Sequence, residues 1–205
     1  MPPLLPIDDE AARAEAARLL LSDAIVAYPT DTLYALGARA TSDTAVAAVL
    51  RLKERLPERT LPLVAADVAQ VEWLAGELSP QARRLADRWW PGPLTLVIDA
   101  REELATGVVA ADGSVAVRVP AHEHVRDLVR RVGVPLTSTS ANRTGTPAAT
   151  TAGACLALGD ALALVLDDGP AITRAPSTIV DVRGPAIRLV REGILPWDHV
   201  LHSMR

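Results

Sequence analysis

The chain has 205 residues, of which 49% are hydrophobic and 22% charged, and its formal net charge is −4. These values describe one globular domain, or at most two small ones, and exclude disordered and collagen-like chains. Basic residues are scattered and aromatics reach only 3%, with no Phe, so a nucleic-acid face built from cations and stacking rings is poorly supported.

The N-terminus opens with prolines and acids (Pro2, Pro3, Asp8, Asp9, Glu10) and lacks a basic start before an apolar stretch, so no secretory signal is predicted. No apolar run reaches the length of a membrane span. A single cysteine, Cys155, leaves no disulfide to form, and the chain reads as cytoplasmic. Asp8 or Asp9 is placed to cap a helix from Glu10 to about Leu21. The apolar run from Ala24 to Tyr28 predicts a buried strand, stopped by Pro29. Ser42 caps a second helix, with Val46, Val49, Leu50 and Leu52 on one face. Leu61 to Ala65 is a second strand. Ser79 and Pro80 start a helix that ends near Trp89 and Trp90, because Pro91, Gly92 and Pro93 break it.

Leu94 to Ile98 and Ser114 to Val119 are further strands. In the second, alternation puts Ser114, Ala116 and Arg118 on one face. A helix follows His122 to about Arg131, and Pro135 to Thr139 is a strand that runs into a polar loop up to Thr151. A helix near Ala152 to Leu158 and a strand at Ala163 to Leu166 come next. Thr178 to Val182 and Ile187 to Val190 form a hairpin around Gly184 and Pro185. Strands and helices alternate without repeats or a linker, which predicts one α/β or α+β domain with a mixed sheet.

Several chemistries are missing. There is no G-x-G dinucleotide fingerprint, no P-loop and no G-x-S-x-G elbow. One Cys and four His do not supply a structural zinc site. His122 and His124 read as surface or cap histidines, and Cys155 as a small buried hydrophobe.

Three segments carry polar chemistry. Thr30-Asp31-Thr32 offers hydroxyls and a carboxylate, either for a small polar ligand or for a local turn. Lys53, Arg55 and Arg59 gather cations at a helix end, where they complement the dipole or neutralise a polyphosphate. Lys53 is the only lysine, against 20 arginines within the 21 basic residues. Ser138 to Gly145 supplies small hydroxyl side chains and the amide of Asn142.

Taken in order, the segments YPTDTLYALGA, LKERLPERTLPL, WPGPLTLV, SVAVRVP, PLTSTSANRTG, PSTIVDV and LVREG resemble the YrdC-like family of threonylcarbamoyl-AMP synthases. They run from Tyr28 to Gly193. The resemblance implies a twisted mixed sheet with helices and a deep positively charged cavity. It also implies a reaction that joins L-threonine, bicarbonate or carbon dioxide, and ATP into threonylcarbamoyl-AMP and pyrophosphate. Magnesium would accompany ATP, and partner proteins would pass the group to an adenosine of tRNA. A direct contact with tRNA or double-stranded RNA is only weakly supported.

By motif, Thr32, Arg118, Ser138 and Ser177 would contact threonine. Lys53, Arg55, Arg59, Ser114, Ser140, Asn142 and Arg191 would contact ATP, with Lys53 and Arg55 as the catalytic cations and no metal ligand. The chain resembles the single-domain form over residues 1–205, with a tail from Ile194 to Arg205. It departs from the family pattern at Ala35, Leu56, Val64 and Ala148. Two other readings share the fold: a nucleotide- or RNA-binding paralogue without synthase activity, and a carbamoyl-adenylate enzyme with another acceptor.

Overall fold

The computed structural model describes residues 1–56, 60–101, 104–173 and 175–204. Helix starts follow the caps in the sequence. The Asp9 carboxylate accepts from the Ala11 N–H at the head of α1 (Glu10–Leu21). The Ser42 hydroxyl accepts from Ala45 N–H before α2 (Asp43–Leu52). A helix not anticipated, α3 (Val68–Ala75), begins at Asp67, whose carboxylate accepts from Gln70 N–H. Ser79 caps α4 (Pro80–Trp89), with Pro80 in the first turn, where its missing N–H costs nothing. Helix α5 (Glu123–Val132) ends on Gly133 at φ 83°, a left-handed stop suited to glycine. The helix expected at Ala152 to Leu158 is shorter: α6 (Ala152–Cys155) passes into a 3-10 segment, Leu156–Ala161.

The strands are β1 (Leu4–Pro6), β2 (Val26–Tyr28), β3 (Ala35–Gly37), β4 (Leu63–Val64), β5 (Leu94–Asp99), β6 (Ser114–Arg118), β7 (Leu136–Thr137), β8 (Thr139–Ser140), β9 (Leu164–Asp167), β10 (Thr178–Asp181) and β11 (Arg188–Arg191). They form two mixed sheets, where the sequence predicts one. The five-stranded sheet runs β1-β9-β2-β3-β8 and the six-stranded sheet β11-β10-β5-β6-β4-β7.

The division falls within the single strand expected at Pro135 to Thr139. Thr137 pairs with Leu63 in the larger sheet, while Thr139 pairs with Leu36 in the smaller. Ser138 lies between them and donates its N–H to Pro62 O at 2.7 Å. The buried Thr137 hydroxyl stitches this seam, accepting from Ala38 N–H and donating to Leu36 O, both at 2.9 Å. Tyr28 adds a bond from its hydroxyl to Thr137 O at 2.8 Å. Gly37 leaves room for the Tyr28 ring, since a Cβ there would come within 2.5 Å of it.

Two apolar clusters hold the sheets. One joins Tyr34, Leu36, Val46, Leu63, Leu85, Leu96 and Val117 under α2 and α4. The other joins Ile7, Leu20, Tyr28, Leu128, Leu164 and Leu166 under α1 and α5. Full burial of each large apolar side chain contributes about 1.5–3 kcal/mol. Arg13 bridges the second cluster, donating to Asp127 Oδ2 and to Ile7 O, both at 2.7 Å.

The stretch after Gly193 forms α7 (Trp197–His202), which buries Val200. Trp89 Nε1 donates to Ser203 Oγ, and Arg84 to Met204 O, so this segment packs on α4. Among the described residues, no helix is long and apolar enough to cross a membrane.

Candidate active site

A cavity of about 580 Å³ opens where the two sheets part. Its walls follow from strand alternation. Strand β6 sends Ser114, Ala116 and Arg118 inward, while Val115 and Val117 join the core. Neighbouring strands keep the register: Val97 pairs with Ala116 and Ile179 with Thr95, and all four line the cavity. The opposite wall comes from Thr30, Thr32 and the segment Ser138, Thr139, Ser140. Arg55, Ser177 and Arg191 complete the polar lining, which among the described residues holds three arginines and no carboxylate.

Arg118 is buried in this wall. Its Nη1 donates to Asp31 Oδ1 at 2.6 Å, and its Nη2 to the hydroxyls of Thr30 and Thr32 at 3.1 Å each. Arg191 Nη2 donates to Ser177 O at 2.8 Å. Burial, and then the positive charge of Arg118, lowers the Arg191 pKa below its ordinary value. A cavity that holds two such cations is a receptor for anions. Arg55 donates from Nη2 to Thr60 O at 3.0 Å. The Ser177 hydroxyl shares a 2.8 Å bond with Thr95 Oγ1, and Ser114 Oγ donates to Asp112 Oδ1 at 2.7 Å.

The structure therefore brings Thr32, Arg55, Ser114, Arg118, Ser138, Ser140, Ser177 and Arg191 to one cavity. It does not place Lys53 or Asn142 on the lining. Lys53 is 3% exposed and lies under the Ser140–Asn142 loop. Its ammonium donates to Ser140 O at 2.6 Å, Asn142 O at 3.0 Å and Asn142 Oδ1 at 2.8 Å, which uses all three protons. Burial, reinforced by Arg55, lowers its pKa to about 8. The Lys53 ammonium, which the sequence expects at the phosphates, grips this loop. Asn142 is spent in the same way, accepting from Lys53 and from Ser140 Oγ and donating to Thr146 O. Arg59 lies outside the described residues.

Thr30 and Thr139, from the polar loops picked out in the sequence, also line the cavity, as do Thr60 and Thr95, which the sequence did not single out. Thr95 did carry a signal, as the lone hydroxyl in the otherwise aliphatic run Leu94 to Ile98. Of the departures from the family pattern, Ala35 and Ala148 line the cavity, Val64 is buried in the second core cluster, and Leu56 is exposed.

The residues set aside as structural fall outside the cavity. His122 stands at the head of α5 with Nε2 3.2 Å from Asp168 Oδ2, and burial lowers its pKa. The Cys155 thiol is buried and pushed up to about 12. With arginines and hydroxyls but no carboxylate on the lining, the described residues do not build a resident magnesium site.

A family model for the Sua5/YciO/YrdC domain, described as telomere recombination, matches residues 18–193. The threonylcarbamoyl-AMP synthase of Bacillus subtilis (strain 168) is 35% identical over 189 residues, covering 91% of this chain and 55% of that protein. The chain thus spans about half the length of that relative. The threonylcarbamoyl-AMP synthase of Idiomarina loihiensis is 36% identical over 170 residues, covering 82% of this chain and 91% of that protein. The crystal structure of P. abyssi Sua5 complexed with L-threonine superposes with a TM-score of 0.93 at 31% identity, covering 100% of this chain and 61% of that one.

Proposed function

The chain belongs to the Sua5/YciO/YrdC family, and from that premise and its cavity we propose that it is an L-threonylcarbamoyladenylate synthase. As a nucleotidyltransferase it would join L-threonine, bicarbonate or carbon dioxide, and ATP into threonylcarbamoyl-AMP, releasing pyrophosphate. Proteins that transfer the threonylcarbamoyl group to tRNA are its expected downstream partners. The observation that carries the reading is the pair Arg118 and Arg191 facing one hydroxyl-lined cavity. Such a site suits a substrate set that carries a carboxylate and a triphosphate. The names of the relatives and the threonine complex of P. abyssi Sua5 support it.

In this reading Arg118 takes the threonine carboxylate, with Thr32, Ser138 and Ser177 around the amino acid. Arg55, Arg191, Ser114 and Ser140 face the nucleotide, and Lys53 and Asn142 hold the loop that carries Ser140. Arg59 remains an expected phosphate contact by motif alone. The threonine amine and bicarbonate give a carbamate and water. A carbamate oxygen then attacks the α-phosphorus of ATP, and the bond to pyrophosphate breaks in line. No covalent enzyme intermediate is needed, so catalysis rests on proximity and on cations that meet the developing charge. Magnesium enters on the phosphates of ATP, as part of the substrate.

The test is pyrophosphate release from Mg-ATP, with threonine and bicarbonate each present or omitted. Release that needs both is expected. Release without threonine would refute the acceptor, and no release with ATP still bound would leave a nucleotide-binding paralogue.

A further inference from the structure

We infer that Asp31 is a positioning residue for the cavity cation, holding the Arg118 guanidinium by its Nη1 end so that the Nε side is left for the ligand. The inference rests on the reading of Arg118 as the group that binds the substrate carboxylate.

Asp31 comes from the loop between β2 and β3 and does not itself line the cavity. Its side chain is 10% exposed, and Oδ1 lies 2.6 Å from Arg118 Nη1. Its second oxygen, Oδ2, is buried without a hydrogen-bond partner. An ionised carboxylate has several acceptor sites, and leaving one oxygen dry and unpaired costs free energy. The strongest arrangement for the pair alone would be a two-bond fork. The structure forgoes it: the Nη2 arm goes to the Thr30 and Thr32 hydroxyls instead. Both terminal nitrogens are therefore held by one loop, while Nε of Arg118 has no hydrogen-bond partner among the described residues.

The loop is stiff enough to serve as a fixed jaw. Thr30 Oγ1 accepts from Thr32 N–H at 3.1 Å and Leu33 N–H at 3.2 Å and lies 2.7 Å from Leu33 O. Thr173 Oγ1 lies 3.3 Å from Thr32 O, as a donor to it. Arg118 stands in the six-stranded sheet, and Asp31 follows a strand of the five-stranded one. The ion pair therefore spans the parting of the sheets and fixes the angle at which the guanidinium meets the cavity.

The test compares wild type, Asp31→Asn and Asp31→Glu in threonine-dependent pyrophosphate release, with thermal melting to verify folding. An arginine Nε–H spectrum is recorded alongside, the Arg118 signal being assigned by its loss in Arg118→Lys. Asp31→Asn keeps the shape and removes the charge. We expect its threonine KM to rise about tenfold or more, since small misplacements of a binding group carry such costs. The ATP KM should change by less than about twofold, the Arg118 Nε–H signal should shift, and Asp31→Glu should recover part of the threonine KM. A folded Asp31→Asn with unchanged threonine KM, or with both KM values raised equally, would overturn the inference and leave Asp31 a structural tie. If wild type itself shows no threonine-dependent release, the functional reading fails instead. The spectrum then still decides Asp31, because an unmoved Arg118 signal refutes the positioning role.

Discussion

Replacing Lys53 with methionine separates two roles for the only lysine of the chain. The side chain keeps its length and apolar stem but loses three donors, to Ser140 O, Asn142 O and Asn142 Oδ1. Hydrogen bonds from a charged donor contribute about 1.5–3 kcal/mol each, and here they leave three acceptors unpaired. Against this stands the cost of burying an ammonium, visible in a pKa lowered to about 8. The second offsets the first only in part, and we expect a net loss of about 2–4 kcal/mol, or a melting temperature lower by about 5–15 °C for a chain of this size.

The difference should also depend on pH. Lys53 has a folded pKa of about 8 against an ordinary 10.5, so between these values the unfolded chain holds more protons than the folded one. Stability of wild type relative to Lys53→Met should therefore rise across that window. Denaturant titrations at about pH 7 and about pH 9.5 read this directly. Catalysis should fall as well, because the loop carrying Ser140 is released. A variant as stable as wild type that nevertheless loses ATP affinity would refute this account, and would return the ammonium to the phosphates.

Arg118→Lys keeps the charge but not the planar fork, and should lower kcat/KM for threonine by about 2–4 kcal/mol while ATP binding persists, measured by pyrophosphate release. Gly193→Ala would drive a Cβ into the backbone oxygens of Pro176 and Ser177, pushing on the cavity wall. It should cost about 1–3 kcal/mol in a denaturant titration and reduce turnover. Thr95→Val breaks the bond to the Ser177 hydroxyl and should cost about 1 kcal/mol in the same titration, while raising the threonine KM.

Much of this was legible from short stretches of sequence. Ser42, Ser79 and Asp9 cap their helices because an N-cap needs only a side-chain oxygen and the next two or three amides. Strand β6 turns Ser114, Ala116 and Arg118 to one side because alternation is a property of the strand itself. The ordered motifs brought eight of the expected site residues to one cavity. Strand β3 was not expected from the sequence, because three residues, ALG, are too few to show a period. The Asp67 cap and the apolar positions of α3 were there to be read.

Other features depend on partners far away in the chain. One strand of the sequence became β7 and β8 because Leu63 and Leu36 claim its two halves for different sheets. The Lys53 ammonium meets acceptors 87 and 89 residues away, on a loop that folding lays over it. Asp31 found Arg118 across 87 residues. Helix caps and strand faces are set by neighbours a few bonds apart, so the sequence by itself determined them. Which charge meets which carbonyl or carboxylate was decided only by tertiary packing, because burial makes an unpaired polar group costly and the fold alone determines which partner is within reach.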